Sequence, residues 1–234
     1  MKRTIKTMLV VFVTLTTVAF AGCGKEENKT TDTGNGGGSN AEWVDLGLPS
    51  GILWADRNVG ASTPEDYGDY YAWGETSTKS TYNWMNYAYG NDSDQLTKYC
   101  NKSEYGLNGF IDNLMTLESS DDAATVVMGG GARIPTADEW RELKNNTIGT
   151  WEFENGVKGL RLTAANGNYI FLPAAGSRCE DALDNVGEQG RYWSSSLDTD
   201  GPDDAWGLRF LSNLQYMYDY SRNYGLSVRA VRAR

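Results

Sequence analysis

The sequence predicts an α+β fold: small antiparallel sheets, two short helices and long ordered loops. Three observations carry this reading. Short stretches of partial period-two alternation are separated by Gly, Pro and Asn, and only two segments have helix signals. In addition, 27 Gly and 12% aromatic residues are spread through 234 residues, an aromatic content that argues against a disordered chain.

In chain order, residues 44–46 and 52–54 flank Pro49-Ser50-Gly51 as strands around a turn. A long irregular stretch, 60–97, follows. Residues 121–128 start acidic and stop at Gly129-Gly130-Gly131, which fits a helix, although Val126-Val127 weakens it. Residues 135–144 are the clearest helix. Thr136 and Glu139 have capping-box spacing, Lys144 lies near the end, and Trp140 and Leu143 share a face. Residues 158–163 and 169–172 surround Asn166-Gly167 as a hairpin. Residues 191–196, 206–211, 214–220 and 225–231 complete the expected strands.

The N-terminus reads as a targeting segment. Lys2, Arg3 and Lys6 precede an apolar run of 13 residues, 8–20, too short for a span of about 20. The run ends in Phe20-Ala21-Gly22-Cys23, which resembles the bacterial lipobox. Residues 1–22 are therefore expected to be a lipoprotein signal peptide, with Cys23 acylated by chains such as palmitate. Two or more acyl chains hold a protein stably, and no transmembrane helix is expected. Removing residues 1–22 takes away three cations and no anion, so the formal charge moves from −10 to −13.

Gly24-Lys25-Glu26-Glu27 resembles the export signal that sends Bacteroidetes lipoproteins to the outer face of the outer membrane. Residues 23–41 form the acylated cysteine and a Thr/Asn/Gly/Ser linker with a reach of roughly 20–25 Å. Residues 42–234 form one domain.

Histidine is absent, which excludes Ser-His-Asp and Cys-His catalysis and His-bearing zinc sites. The acidic balance disfavours nucleic acid as a partner. Cys100 and Cys179 remain once Cys23 is acylated. In an oxidising compartment they either form a disulfide or stay as two small buried residues.

Several blocks together resemble the Fibrobacter succinogenes major paralogous domain family. They are residues 43–51, Asn58-Val59-Gly60-Ala61, residues 67–75, Arg133-Ile134-Pro135-Thr136 with Glu139-Trp140, residues 171–176, Tyr192-Trp193-Ser194-Ser195 and residues 224–229. The Arg-Ile-Pro-Thr block is also similar to formylglycine-generating-enzyme-like proteins. The resemblance implies a C-type-lectin-like domain. It does not carry over catalysis, because the reactive cysteine pair is missing, nor lectin calcium chemistry, because the Glu-Pro-Asn type motifs are missing.

The acidic loop 198–204 gathers carboxylates without EF-hand spacing, so calcium there is left open. Composition also leaves carboxylate-pair hydrolysis open, with no pair marked out. No cofactor or metal is expected.

The C-terminal stretch 212–223 mixes Tyr, Asn, Ser and Arg, the residue types that binding surfaces use. On a strand, Tyr216, Tyr218 and Tyr220 fall on one face. Packing of those tyrosines on the core is the competing reading. The expected ligand-binding set is Trp206, Arg209, Ser212, Asn213, Gln215, Tyr216, Tyr218, Tyr220, Arg222 and Asn223, and the remaining Trp residues are expected in the core.

The leading functional expectation is a surface-exposed outer-membrane lipoprotein that binds a protein or glycan without catalysis. The resemblance adds the idea that a retroelement diversifies this segment. The alternatives are a structural component of the cell envelope and a carboxylate-dependent glycan hydrolase.

Overall fold

A computed structural model describes residues 41–234. The expected signal segment, Cys23 and nearly all of the linker lie outside the described residues.

β1 (Trp43–Asp45) and β2 (Leu53–Asn58) pair antiparallel across the expected turn, where the Gly51 N–H donates to the Leu48 carbonyl at 2.9 Å. The stretch after β2 is irregular except for the two-residue β3 (Tyr70–Tyr71) and short 3-10 turns. α1 (Ala123–Met128) is capped by Asp122, whose carboxylate accepts from the Thr125 N–H at 2.9 Å and the Ile134 N–H at 2.8 Å. It stops after six residues at Gly129, whose φ is +63°.

In α2 (Ala137–Asn146) the capping box closes. The Glu139 N–H donates to Thr136 Oγ1 at 3.2 Å and the Thr136 N–H to Glu139 Oε2 at 2.8 Å. Arg133 ties the same carboxylate from outside the helix at 2.5 Å. Ala137, Trp140 and Leu143 are the buried stripe.

β4 (Thr147–Glu154) continues directly from α2 and is an addition to the expected strands. Its turn to β5 (Val157–Ala164) is Asn155-Gly156, both with positive φ, +48° and +87°, as a two-residue primed turn needs. The expected hairpin to β6 (Tyr169–Pro173) is present, but its connection is a longer loop in which only Gly167 has positive φ. Then come the small pair β7 (Ser177–Cys179) and β8 (Ala182–Asp184), and the long strands β9 (Gly190–Leu197), β10 (Asp204–Leu211) and β11 (Leu214–Ser221).

The last expected strand divides into β12 (Leu226–Ser227) and β13 (Arg229–Arg232). Between them the Val228 carbonyl accepts from the Val59 N–H at 2.9 Å, and the chain passes from one sheet to another.

The sheets run β1-β2-β13, β11-β10-β9-β12-β3, β4-β5-β6 and β7-β8. All pairings are antiparallel except β9 with β12. The coarse expectation of an α+β molecule, mostly β with two helices, therefore holds. No described helix is long and apolar enough to cross a membrane.

Alternation along β9 divides the core. Tyr192 joins Trp54, Trp140, Leu172, Leu208 and Phe210 on one face, while Trp193 joins Tyr71, Trp73, Tyr99, Ala205 and Tyr220 on the other. Four of the eight tryptophans, Trp54, Trp73, Trp140 and Trp193, are fully buried. A large aromatic buries about 150–250 Å², worth roughly 4–6 kcal/mol before conformational entropy is counted.

The disulfide between Cys100 and Cys179 does not form; both thiols are free. Cys100 is buried with its thiol directed to the Lys102 carbonyl at 3.1 Å, and Cys179 ends β7, so local packing fixes each side chain in its own element.

Candidate functional site

The β10–β11 hairpin sets the candidate face by its register: Arg209 opposite Tyr216, Gly207 opposite Tyr218 and Ala205 opposite Tyr220. The three tyrosines form a ladder on one side of β11, with ring centroids 6.0 Å and then 5.1 Å apart. Gly207 leaves the space this needs. A Cβ there would lie 2.7 Å from the Tyr192 carbonyl oxygen and 3.2 Å from the Tyr220 ring.

Burial differs sharply within the ladder. Tyr220 is 5% exposed and meets Trp193 edge-on at 6.0 Å, Tyr216 is half-buried, and Tyr218 is 41% exposed. The packing reading therefore holds at Tyr220, whereas Tyr218 and part of Tyr216 stay accessible. Tyr220 belongs to the core, and burial pushes its hydroxyl pKa upward against the nearby Arg191 and Arg209.

Arg209 lies across the ladder, its guanidinium 5.8 Å from the Tyr216 ring centre and 5.5 Å from that of Tyr218. Its partner on β9 is Arg191, which lies 5.6 Å from the Tyr220 ring. Gln189 Oε1 accepts from Arg209 Nε at 3.1 Å, Arg209 Nη2 at 2.9 Å and Arg191 Nη2 at 3.1 Å. Ser177 Oγ accepts from Arg191 Nη1 at 2.7 Å. Arg191, Gln189 and Ser177 were not among the sequence expectations. Only the strand register brings them to the ladder, and no local motif marks them.

Four parts of the expected set are corrected. Trp206 alternates with Ala205 and Gly207, so its side chain lies on the opposite side of the sheet, under the Arg141 guanidinium of α2 at 5.6 Å. Arg222 is fully buried and spends its donors on the Tyr87 hydroxyl and on the carbonyls of Lys98, Tyr99 and Pro202, at 2.8–3.1 Å.

Asn223 is also buried, 4% exposed. It borders a separate cleft of about 350 Å³ with Trp84, Met85, Cys179, Glu180 and Tyr224. Its Oδ1 has no partner among the described residues. Ser212 and Asn213 are exposed at the hairpin tip. With Gln215 they border a shallow hollow of about 150 Å³ against Gly149 and Trp151, and Gln215 falls on the side of β11 away from the tyrosines.

The acidic loop holds a different kind of chemistry. The Asp204 carboxyl is pushed up to about 7 by burial and by the neighbouring Asp203, Asp219 and Asp198. Among the described residues no group of three or more acidic or cysteine side chains is arranged to hold a metal ion.

A family model described as a domain of unknown function, DUF8237, matches residues 140–231, from the middle of α2 to the last strand, and so spans the whole Tyr/Arg face. No curated protein and no solved structure matches the chain.

Proposed function

We propose that this chain is a surface-exposed, acylated lipoprotein of the outer membrane, anchored through Cys23. In this reading its C-type-lectin-like domain of the major paralogous type binds a macromolecular ligand without catalysis. The observation that carries the reading is the accessible part of the ladder. Tyr216 and Tyr218 with Arg209 stand on two long paired strands and are backed by the buried Tyr220 and Trp193. Tyr side chains lose little rotamer freedom on binding, Arg209 is already held by Gln189, and Tyr and Arg are residue types that dominate interface energies.

Binding is tested by replacing Tyr216 and Tyr218 together with Ala. The protein should stay folded by circular dichroism and lose its ligand in a screen of displayed peptides and immobilised glycans. Retained binding sinks the proposed face. The anchor is tested by labelling cells with a palmitate analogue, which should mark the wild type and leave Cys23→Ser unmarked. Protease shaving of intact cells tests exposure.

A structural role in the envelope is the second reading, favoured by the position of β11 at the edge of its sheet, where an unpaired strand side can add another strand. Concentration-dependent self-association, abolished by a proline at Met217, would establish it.

A further inference from the structure

Arg191 and Arg209 are direct partners across β9 and β10, and like charges placed opposite one another repel. The chain has 31 acidic residues against 21 basic ones, yet neither guanidinium meets a carboxylate among the described residues. Arg57, Arg133, Arg141, Arg161 and Arg234 each have one. Arg222 and Arg229 also lack a carboxylate but spend their donors on buried carbonyls, and Arg178 and Arg232, which lie over the Tyr70 and Trp43 rings, stand opposite Leu183 and Leu53 and not opposite another arginine.

The partners that hold the two facing arginines are neutral, Gln189 and Ser177. At the same place Arg191 Nε and the Tyr220 hydroxyl are buried without a hydrogen-bond partner. Two facing cations, neutral supports and unsatisfied buried groups together make an arrangement suited to an anion.

We propose that Arg191 and Arg209 form a clamp for a carboxylate carried by an acidic peptide segment of a partner protein, with Tyr216 and Tyr218 as its walls. The inference rests on the binding-face reading and adds the charge and class of the ligand. Guanidinium forks match the paired oxygens of a carboxylate. Two cations on a chain of net charge −10 suit an isolated anionic group better than a polyanion, which the rest of the molecule repels. The rings favour a peptide over a sugar. Tyr216 and Tyr218 meet at 84°, and Tyr218 and Tyr220 at 59°, so they present edges and faces in turn instead of the flat platform on which a pyranose stacks.

The test selects random phage-displayed peptides on the full-length protein in detergent micelles and measures the enriched peptides by fluorescence anisotropy. Enriched peptides should contain Asp or Glu, and replacing that residue with Asn or Gln should weaken binding about tenfold or more. Arg191→Gln and Arg209→Gln should each cause a similar loss, Arg209→Lys a smaller one, and added salt should weaken binding.

Neutral peptides whose affinity is unchanged in Arg191→Gln/Arg209→Gln but lost in Tyr216→Ala/Tyr218→Ala would overturn the clamp and leave the binding face standing. Selected peptides that bind all these variants equally would overturn both. Binding of oligogalacturonate through the arginines, with no acidic peptide enriched, would overturn the peptide partner. The unliganded melting temperature gives a second readout. Arg209→Gln should melt at or above the wild type, whereas a fall of more than about 5 °C assigns the pair to structure and overturns the clamp.

Discussion

Two pairs of arginines show opposite uses of one side chain. Arg222 and Arg229 are fully buried. Arg229 donates to the carbonyls of Ala55, Asp56 and Phe171 and to Asn58 Oδ1 at 2.7–3.1 Å, and burial lowers its pKa to about 10. Arg222 is satisfied in the same way and lies between the rings of Trp73 and Tyr87 at 5.0 and 5.3 Å. Arg191 and Arg209 are half-buried, face one another and share one neutral acceptor. The first pair ties distant segments together, and the second keeps donor capacity on the surface. Position in the fold, and not residue type, decides between the two uses.

The largest effect that would break this comparison is the loss of a buried guanidinium. Arg222→Ala and Arg229→Ala should each cost about 3–5 kcal/mol, because several buried carbonyls lose their donors at once. At roughly 2–4 °C per kcal/mol, thermal melts should fall by about 6–20 °C. A drop under a few degrees would remove the distinction between the pairs.

Truncation along the ladder comes next. Tyr220→Ala should cost about 3 kcal/mol or more as a core deletion, whereas Tyr218→Ala should stay within about 0.5–1 kcal/mol, both read by denaturant titration. Equal costs would mean that Tyr218 is structural.

The smallest effect concerns pH at the acidic loop. The folded pKa of Asp204 is raised to about 7 from its usual 3.8, so the native state holds more protons than the unfolded chain between about pH 4 and 7. Stability therefore falls as pH rises through that window, and the cost is fully present above it. Asp204→Asn should gain about 1–2 kcal/mol at pH 8, a figure reduced for the partial exposure of the site, and nothing below pH 4. Melts of both proteins across pH 4–8 check the sign.

Much of the fold was legible because local chemistry agreed with it. The Thr136/Glu139 box, the glycine stop after Met128 and the alternation of β9 to β11 each name their own structure. β4 escaped notice because its exposed Ile148 and Phe153 blur any single apolar face, although Asn155-Gly156 was the available signal.

The candidate site was legible only in part. Period two put Tyr216, Tyr218 and Tyr220 on one face, but a polar residue type does not reveal burial. Arg222 and Asn223 read like their exposed neighbours until contacts with segments more than 100 residues away are known. Arg191 had no local mark at all, since its role comes from the strand beside it.

The sheet that joins β2 to both β1 and β13 also sets an order of events in time. Arg229 binds β2 from the other end of the domain, and Arg234 forms an ion pair with Asp45. The earliest strands of the domain therefore wait, unpaired on one side, for its final residues. Closing so long a loop is slow and leaves sheet edges open until β13 has been made. A nascent chain that stops before Arg229 should remain protease-sensitive throughout, and a resistant domain should appear only once β13 has emerged. Such late closure keeps the polypeptide threadable until β13 arrives.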